Sequence, residues 1–422
     1  MKEIKPLRHI NATITVPGSK SITQRALIAA ALAQGQSTLL TPLASEDTAY
    51  TSSALQGMGI TVDNQGGEWK VMGTGGKITA PAGEIFLGNN GTATRFLTSV
   101  AALGHGSFTI SGEKRMEERP IAPLMQALAG WGVNITSIKG TGCPPLKIEA
   151  AGIEGGLTTL PEGKSSQYLS SLLLVAPYAR KKAILTVQGE VPSRPYVTMT
   201  LSVMRSFGIE VTASDSLNHF EISQGIYQPR TYQVEGDASS ASYFFAAAAI
   251  TGGTVTVGNV PEISLQGDTA LVKMLEKMGC RVSYDKGITV SGPQELRGIE
   301  VDMGDCPDVA PTLAVVASRA KGRTVIKNIA HLRIKECDRI NAMATELTKL
   351  GAAVSEKEDA LIIEGINPDK PMHGAAIETY NDHRIAMCFG VAGLVVPGIT
   401  IANDQCVAKS FPDFWERFGL LY

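Results

Sequence analysis

Basic and hydroxyl-bearing side chains gather in short loops just ahead of segments with helical periodicity. The clearest clusters are residues 115–120, 193–196, 335–339 and 409–410. A cation at the start of a helix is disfavoured by the helix dipole by about a few tenths of a kcal/mol, so this clustering needs a compensating anion. The free N–H groups of a helix start also bind phosphate. A merely solvated face would carry such charges on helix bodies or C-termini, so we interpret the loops as sites for small anions.

Three further turn-to-helix junctions carry groups suited to the same chemistry. Residues 17–26 place Lys20 and Arg25 at the start of a helix rich in Ala and Leu, and residues 87–95 form a glycine-bearing turn into another helix. Residues 163–167 bring hydroxyls and an amide to a third helix start. Taken singly, each junction also fits an ordinary polar turn. The sequence contains neither a Walker A loop nor a dinucleotide-binding fingerprint.

The C-terminal half of the chain contains a further polar group. Its members are Pro307, Asp308, residues 335–339, residues 381–384 and Lys409. Residues 381–384 directly precede the apolar stretch 385–395, so they make a poor core and a good helix start. A structural ion-pair network is the competing interpretation, and we favour it for Asp338 and Asp382.

One pattern recurs along the chain and must position these loops: an apolar residue, two others, an apolar residue, Gly, and then apolar alternation. The six glycines lie 68 to 76 residues apart and are Gly59, Gly132, Gly208, Gly279, Gly351 and Gly419, of which the last belongs to a truncated copy of the pattern. The pattern predicts the last turn of a helix, a left-handed Gly cap and a strand. A strand is also predicted before the first five of these helices, at 37–40, 107–110, 183–187, 254–257 and 324–327. Loops 45–47 and 266–268 occupy the corresponding position without a cation, and we expect them to serve the architecture or the shape of the cleft rather than the anions.

Composition excludes several classes of protein. A length of 422 residues favours two or three domains. Lys and Arg number 38 against 40 Asp and Glu, which argues against a nucleic-acid or acidic-membrane partner. The six cysteines form no Cys-x-x-Cys pair, so neither a metal site nor a disulfide framework is expected. Without an apolar leader or a run of about 20 apolar residues, the chain is expected to be soluble and cytoplasmic.

Taken together, these loops resemble those of the 5-enolpyruvylshikimate-3-phosphate synthases, and the resemblance extends over essentially the whole chain. The matching residues, in chain order, are Gly18, Lys20, Ser21, Arg25, Gly88, Asn89, Gly91, Thr92, Glu118, Arg119, Pro120, Ile121, Ser165, Ser166, Gln167, Ser193, Pro195, Tyr196, Pro307, Asp308, Lys335, Glu336, Asp338, Arg339, Asp382, His383, Arg384 and Lys409. Two positions depart from the common pattern: Phe96 stands where many members have Pro, and His331 stands where Asn is frequent.

The resemblance implies an α/β fold, specifically a two-domain inverse α/β prism. Each domain would contain three helix-strand repeats with helices inside and sheets outside. The C-terminal domain would contain residues 1–18 and 236–422, the N-terminal domain residues 19–235, and the active site would lie in the cleft between them. The first strand, within residues 10–16, is expected to join the C-terminal domain.

The resemblance also implies a reaction. The family transfers the enolpyruvyl group of phosphoenolpyruvate to the 5-hydroxyl of shikimate 3-phosphate by addition and elimination, releasing phosphate without metal or organic cofactor. Asp308 is expected to accept the hydroxyl proton, Glu336 to protonate the methylene carbon, and Lys20 to stabilise the leaving phosphate.

The binding residues follow from the same resemblance. For shikimate 3-phosphate they are Lys20, Ser21, Arg25, Ser165, Ser166, Gln167, Ser193, Tyr196, Asp308 and Lys335. For phosphoenolpyruvate they are Lys20, Asn89, Gly91, Thr92, Arg119, Gln167, Arg339, Asp382, Arg384 and Lys409.

Two other functions compete with this interpretation. An enolpyruvyltransferase acting on UDP-N-acetylglucosamine shares the repeat and the donor, but its Cys-bearing loop and its Lys-Asn pair near the start are absent here. A non-catalytic anion-binding protein would need neither Asp308 nor Glu336. We therefore expect a monomeric enzyme whose partners are two small anionic substrates, with no nucleic acid and no membrane.

Overall fold

The computed structural model describes residues 1–7, 9–161 and 165–422, so the first of the residues predicted for the 163–167 junction, Gly163 and Lys164, lie outside the described residues. The chain forms two compact units. Residues 18–234 form one, which we call the continuous unit, and residues 1–17 together with 235–422 form the other, which we call the split unit.

Helices and strands alternate along both units, which is the α/β class expected from the sequence. The helices are α1 (Lys20–Leu32), α2 (Glu46–Gly57), α3 (Gly91–Ala102), α4 (Ala122–Gly130), α5 (Ser166–Val175), α6 (Arg194–Ser206), α7 (Ala238–Thr251), α8 (Ala270–Lys277), α9 (Ala310–Ala317), α10 (Arg339–Lys349), α11 (His383–Gly393) and α12 (Phe414–Gly419). Short 3₁₀ turns span Lys114–Glu118, Ala176–Tyr178, Gly267–Thr269, Pro307–Val309, Ala330–Ile334 and Asp404–Lys409.

The strands are short and are spread over the whole chain. They are β1 (Lys2–Glu3), β2 (Asn11–Ile14), β3 (Gln34–Leu40), β4 (Thr61–Asp63), β5 (Glu68–Thr74), β6 (Ile85–Phe86), β7 (His105–Ser111), β8 (Asn134–Ser137), β9 (Leu146–Ala151), β10 (Gly156–Leu160), β11 (Ala183–Val187), β12 (Thr212–Ala213), β13 (His219–Ile222), β14 (Thr231–Gln233), β15 (Thr254–Val257), β16 (Arg281–Ser283), β17 (Ile288–Ser291), β18 (Leu296–Arg297), β19 (Glu300–Asp302), β20 (Ala320–Lys321), β21 (Thr324–Lys327), β22 (Val354–Glu356), β23 (Leu361–Ile363), β24 (Ala376–Ile377) and β25 (Thr400–Ile401).

Five four-stranded sheets share one pairing order. Their orders are β14-β3-β5-β4, β6-β7-β9-β8, β10-β11-β13-β12, β2-β15-β17-β16 and β19-β21-β23-β22. In each sheet the first strand pairs in parallel with the second, and the remaining pairs are antiparallel. Strands β1, β25 and β24 form a sixth, smaller sheet, and β18 pairs with β20.

Strands from distant parts of the sequence complete two of these sheets. Strand β14 pairs with Thr38–Leu40 of the continuous unit, and β2 pairs with Thr254–Val257 of the split unit. The segment within residues 10–16 is therefore a strand of the split unit, as expected from the sequence.

Each unit is built around three helices that are buried along nearly their whole length. These are α1, α3 and α5 in the continuous unit and α7, α9 and α11 in the split unit. Their small side chains allow this: α7 contains Ala at six of its positions, and residues 238–249 are all buried. Close packing of such helices leaves their first turns as the places where polar groups are presented.

The repeated glycine closes five helices in the same way. After α2, the amide of Gly59 donates to the carbonyl of Gln56 and the amide of Ile60 donates to that of Leu55, which is a Schellman cap. The same pair of bonds follows α4, α6, α8 and α10, and each of the five glycines has a positive φ. The prediction for the sixth copy is wrong. Gly419 is the last residue of α12, and Leu420 continues the turn by donating to Arg417.

The upstream strands agree closely with the sequence pattern. Three of them, at 183–187, 254–257 and 324–327, have the predicted bounds, and the other two lie within β3 and β7. The downstream strands begin slightly later than predicted. In the third repeat, Val211 was expected to be a strand residue, whereas β12 begins at Thr212.

The approach of β5 to α1 makes Gly73 a sensitive position. A Cβ atom on Gly73 would lie 2.3 Å from the carbonyl oxygens of Ala30 and Ala33, whereas one on Gly67 would have open space around it. We expect Gly73→Ala to lower the free energy of unfolding by about 1–3 kcal/mol, because neither backbone can move easily. Gly67→Ala is the matched control and should stay within about 0.5 kcal/mol of the wild type.

Urea denaturation followed by the fluorescence of Trp69, which is buried in the same strand, measures both variants. Equal stability of the Gly73→Ala and Gly67→Ala proteins would contradict the close approach.

Candidate active site

The first turn of α1 begins the site in the continuous unit. Ser19 caps this helix by accepting the amide of Ile22, and Lys20 is its first residue. The Nζ atom of Lys20 lies 3.2 Å from Oδ2 of Asp47, whose side chain is buried. The loop at 45–47, expected to serve the architecture or the shape of the cleft, thus provides an ion-pair partner for a predicted catalytic lysine.

The backbone of Asp47 also joins three helix starts. Its carbonyl oxygen accepts the side-chain amides of Gln24 in α1, at 3.2 Å, and of Asn90, at 2.7 Å. Asn90 in turn caps α3 by accepting the amide of Ala93 at 2.9 Å. The first turns of α1, α2 and α3 are therefore held together by one residue.

Arg25 is a buried guanidinium held by neutral groups. Its Nε donates to the hydroxyl of Thr200 at 2.7 Å, Nη1 to the carbonyl of Ser21 at 2.9 Å, and Nη2 to Ser170 and to the carbonyl of Tyr196 at 3.2 Å each. Within the described residues Arg25 has no carboxylate partner. Burial lowers the pKa of Arg25 to about 10, so it keeps its charge at neutral pH.

Aromatic rings cover this cation. The ring of Phe96 lies 5.2 Å from the guanidinium carbon of Arg25, and that of Tyr196 lies 5.8 Å away. Both distances fit cation–π contacts. Phe96, which departs from the common family pattern, is therefore part of the packing around a predicted substrate-binding arginine.

Gly91 lets another guanidinium approach the start of α3. A Cβ atom on Gly91 would lie 2.3 Å from Nη2 of Arg119, so a larger residue there would displace the end of that side chain. Nη1 of Arg119 donates to the backbone carbonyl of Asn89 at 3.1 Å and to its side-chain oxygen at 3.0 Å. The structure thus brings together three residues predicted for phosphoenolpyruvate.

Sequence reasoning assigned no role to Arg95, although it lies in the 87–95 motif. Its Nη1 donates to the carbonyl of Gly91 at 3.1 Å and its Nη2 to that of Pro120 at 2.9 Å. It therefore joins the first turn of α3 to the loop that carries Arg119. The spacing of four residues from Gly91, one helical turn, is the signal that could have shown this.

The starts of α5 and α6 carry the remaining predicted residues of this unit. Ser165 caps α5 by accepting the amide of Gln167 at 3.3 Å, and Nε2 of Gln167 donates to the hydroxyl of Thr92 at 3.1 Å. Ser166 is buried beside them. Ser193 precedes α6 with φ 53°, a left-handed conformation that costs energy in residues other than glycine and is concentrated at functional sites.

Arg339 is the centre of the group in the split unit. Its Nε donates to Asp382 at 2.7 Å, Nη2 to Glu336 at 2.8 Å, and Nη1 to Asp308 at 3.2 Å. Burial alone would lower the pKa of Arg339, but the three carboxylates outweigh it and raise the pKa above its ordinary value. Arg339 therefore binds both carboxylates that are predicted to transfer protons, Asp308 and Glu336.

A second arginine completes the group. Nη2 of Arg384 donates to the other oxygen of Asp308 at 2.6 Å. Asp382 caps α11, accepting the amide of Arg384 at 2.9 Å, and its side chain is fully buried. Asp338 likewise pairs with Arg333 at 2.8 Å and caps α10. Both aspartates thus form the ion pairs favoured from the sequence.

Lys335, His331 and Lys409 lie in the 3₁₀ turns and loops of the same unit. His331 is largely buried, and this burial, followed by the charge of Lys335, lowers the pKa of His331 to about 4. The imidazole is therefore neutral at neutral pH and can offer a hydrogen bond but no charge. Lys409 ends the Asp404–Lys409 turn and is buried.

The predicted residues are divided between the units. The continuous unit contains Lys20, Ser21, Arg25, Asn89, Gly91, Thr92, Arg119, Ser165, Ser166, Gln167, Ser193 and Tyr196, and the split unit contains Asp308, Lys335, Glu336, Arg339, Asp382, Arg384 and Lys409. Among the described residues there is no cluster of three His, Cys, Asp or Glu side chains arranged to hold a metal ion. No helix in the described ranges has the length and hydropathy that a membrane crossing requires.

Repeated α/β units whose helix starts present guanidinium, ammonium and hydroxyl groups, with carboxylates held beside arginines, define an enzyme for small anions. The family model of EPSP synthase (3-phosphoshikimate 1-carboxyvinyltransferase) matches residues 4–418. The chain therefore belongs to the EPSP synthase family.

Curated relatives agree with this family. The 3-phosphoshikimate 1-carboxyvinyltransferase of Trichormus variabilis is 45% identical over 97% of this chain and 96% of its own length. That of Shewanella denitrificans is 44% identical over 99% of this chain and 98% of its own length. These relatives favour the family over the UDP-sugar enolpyruvyltransferase considered above.

Solved structures show the same fold. An EPSP synthase from Acinetobacter baumannii has a TM-score of 0.82 at 30% identity and covers 99% of this chain and 97% of its own. The enolpyruvyl transferase NikO from Streptomyces tendae has a TM-score of 0.76 at 18% identity over 99% of this chain and 96% of its own, a likeness of fold alone.

The buried position of Arg339 leads to a stability prediction. Arg339→Met should lower the free energy of unfolding by about 3–5 kcal/mol, because it leaves the buried Asp382 and its neighbours without their cation. Arg333→Met is the matched control: its side chain is 27% exposed, so removing its ion pairs should cost about 0–1 kcal/mol.

Urea denaturation followed by circular dichroism compares the two variants with the wild type. A loss for Arg339→Met no larger than that for Arg333→Met would show that the buried carboxylates do not depend on Arg339.

Proposed function

We propose that this chain transfers the enolpyruvyl group of phosphoenolpyruvate to the 5-hydroxyl of shikimate 3-phosphate and releases inorganic phosphate. The observation that carries the proposal is the cluster of Arg339 and Arg384 around Asp308 and Glu336. It joins two guanidinium forks, suited to a substrate carboxylate, with two carboxyl groups able to move protons.

Phosphoenolpyruvate carries a carboxylate and a phosphate, and we assign different groups to each. Arg339 and Arg384 hold the carboxylate, and Asp382 acts by fixing Arg339, since its own oxygens are occupied by protein donors. The phosphate is assigned to a larger set: Lys20, Asn89, Gly91, Thr92, Arg119 and Lys409. Charge-assisted hydrogen bonds of this kind are worth about 1.5–3 kcal/mol each.

Shikimate 3-phosphate is assigned mainly to the continuous unit. Arg25 and Ser21 hold its carboxylate, which supplies the anion that Arg25 lacks among the described residues. Ser165, Ser166 and Ser193, all at helix starts, hold its phosphate. Tyr196 and Lys335 contact the same substrate, and Gln167 contacts both substrates.

The reaction proceeds by addition and elimination. Asp308 takes the proton of the 5-hydroxyl while the hydroxyl oxygen bonds to C2 of phosphoenolpyruvate. Glu336 gives a proton to the methylene carbon. The resulting methyl group then returns a proton to the Glu336 carboxylate as the bond from C2 to the phosphate oxygen breaks. Lys20 and Lys409 stabilise the charge on the departing phosphate.

Substrate binding prepares Glu336 for its role as an acid. Its contact with Arg339 favours the ionised carboxylate. A substrate carboxylate that shares Arg339 adds a negative charge nearby and so raises the proton affinity of Glu336.

We further propose that the chain adopts the inverse α/β prism of the family as a monomer and that the reaction needs residues of both units. The three buried helices of each unit and its repeated sheets support this architecture. The distribution of the assigned residues supports a reaction that needs both units, because the continuous unit contains Arg25 and the split unit contains Asp308 and Glu336.

A phosphate-release assay tests the proposed function. Release should require phosphoenolpyruvate and shikimate 3-phosphate together, and UDP-N-acetylglucosamine should neither replace shikimate 3-phosphate nor compete with it. Absence of release at any concentration of the two substrates would reject the proposal, and release with the UDP-sugar would favour the alternative enzyme.

The assigned role of Glu336 leads to a kinetic prediction. Glu336→Gln keeps a hydrogen-bond acceptor for Arg339 but cannot donate the proton, so kcat should fall at least about a hundredfold. Dissociation constants measured by calorimetry should change little for either substrate. An unchanged kcat would remove Glu336 from this role.

The close approach of Arg119 to Gly91 leads to a second kinetic prediction. Gly91→Ala pushes the guanidinium aside, and loss of one charge-assisted contact should raise KM for phosphoenolpyruvate about tenfold to a hundredfold. KM for shikimate 3-phosphate should change much less. Gly67→Ala, which adds a Cβ in open space, is the control. A Gly91→Ala enzyme with wild-type KM values would place the donor phosphate elsewhere.

A further inference from the structure

Asp268 is a buried carboxyl group that the proposed function does not use. It lies in the Gly267–Thr269 turn before α8, in one of the two loops that lack a cation. The hydroxyl of Ser239 in α7 donates to its Oδ2. The same hydroxyl lies 3.5 Å from Nη2 of Arg384, which donates to Asp308 at 2.6 Å. A continuous path of hydrogen bonds therefore leads from Asp268 to the proposed base.

Several charged or titratable groups face Asp268 from the elements packed around it. Asp237 stands at the start of α7, Cys306 and Asp308 belong to the segment before α9, and Arg384 belongs to α11. Burial first and the charge of Asp308 second raise the pKa of Asp268 to about 7, and Arg384 and Ser239 oppose this rise while Asp237 adds to it. The thiol of Cys306 stays protonated, because burial raises its pKa.

Two carboxyl groups close together in a buried site raise each other's pKa, so the one with the weaker cationic contacts holds its proton more firmly. Asp308 is bound directly by Arg339 and Arg384 and is partly exposed, whereas Asp268 is buried and accepts the hydroxyl of Ser239, to which Arg384 in turn donates. The direct ion pairs therefore keep Asp308 ionised and leave the proton on Asp268.

We propose that Asp268 is a positioning residue that holds this proton, so that Arg384 keeps its positive charge for the donor carboxylate and Asp308 stays an ionised base. The inference rests on the proposed function. When Asp268 ionises, Arg384 is shared between two carboxylates and an anionic substrate meets one more negative charge. Binding of phosphoenolpyruvate should therefore weaken as pH rises through about 7.

The pH dependence of KM for phosphoenolpyruvate tests this role. Between pH 6 and 9 the wild-type KM should rise about threefold to tenfold more than that of Asp268→Asn, which imitates the protonated form at every pH. Titration of the substrate phosphate affects KM equally in the wild type and in Asp268→Asn. The test is therefore the difference between their two KM profiles. Glu346→Gln, which alters a buried carboxyl of α10 paired with Lys349, is the control and should keep the wild-type profile.

Ser239→Ala should shift the pH-dependent rise in KM, whereas Asp268→Asn should remove it. The Ser239 hydroxyl stabilises the ionised carboxylate, so its removal should raise the pKa of Asp268 further and move the rise in KM to higher pH. A merely structural role would alter KM equally at all pH values. Superimposable profiles of the wild type and Asp268→Asn would overturn the proposal.

Stability supplies a readout that does not depend on activity. An unfolded Asp has a pKa of about 3.9, so folding takes up a proton on Asp268 between that value and about 7. The free energy of unfolding of the wild type should fall as pH rises through this window, relative to that of Asp268→Asn. If the wild type releases no phosphate, the proposed function fails while this comparison still tests the proton. If both proteins are active but their stabilities vary with pH alike, the proton is not on Asp268.

Discussion

The buried guanidinium groups carry a large desolvation free energy, and the surrounding structure supplies the partners that offset it. Removing such a cation from water costs several kcal/mol unless its N–H groups find partners. The chain meets this cost in two ways. In the continuous unit Arg25 and Arg95 donate to hydroxyls and backbone carbonyls, and in the split unit Arg339 and Arg384 donate mainly to carboxylates.

The two solutions have different chemical consequences. Neutral partners satisfy hydrogen bonds but leave the positive charge of Arg25 for a bound anion. Carboxylate partners neutralise Arg339 and Arg384 in part, and they hold Asp308 and Glu336 where protons can be moved. The proton proposed for Asp268 fits the same logic, because it would spare the charge of Arg384.

The repeat explains how so many polar groups reach these positions. Each buried helix is surrounded by apolar neighbours, so its first turn is the place where polar side chains can be presented without disturbing the core. The Schellman caps end the second helix of five repeats in the same geometry and lead the chain directly into the next strand. Residues such as Asp47 then tie neighbouring helix starts together.

The sequence by itself determined the local elements and the type of chemistry. Five Gly caps and the strands at 183–187, 254–257 and 324–327 follow from spacing alone, because short-range hydrogen bonds and alternation decide them. The motif order was specific enough to indicate the family. The cap predicted at Gly419 does not form, because no strand follows this copy of the pattern.

Only the tertiary structure decided which groups are partners. The pairing of Lys20 with Asp47, the path from Arg95 to Pro120 and the link between Asp268 and Arg384 join residues 25 to 116 positions apart. No local pattern encodes such pairs, because the energy of a buried charge depends on what the fold brings beside it. For that reason the sequence did not show that Asp47 of loop 45–47 pairs with Lys20, or that Asp268 of loop 266–268 is linked to Arg384 through Ser239.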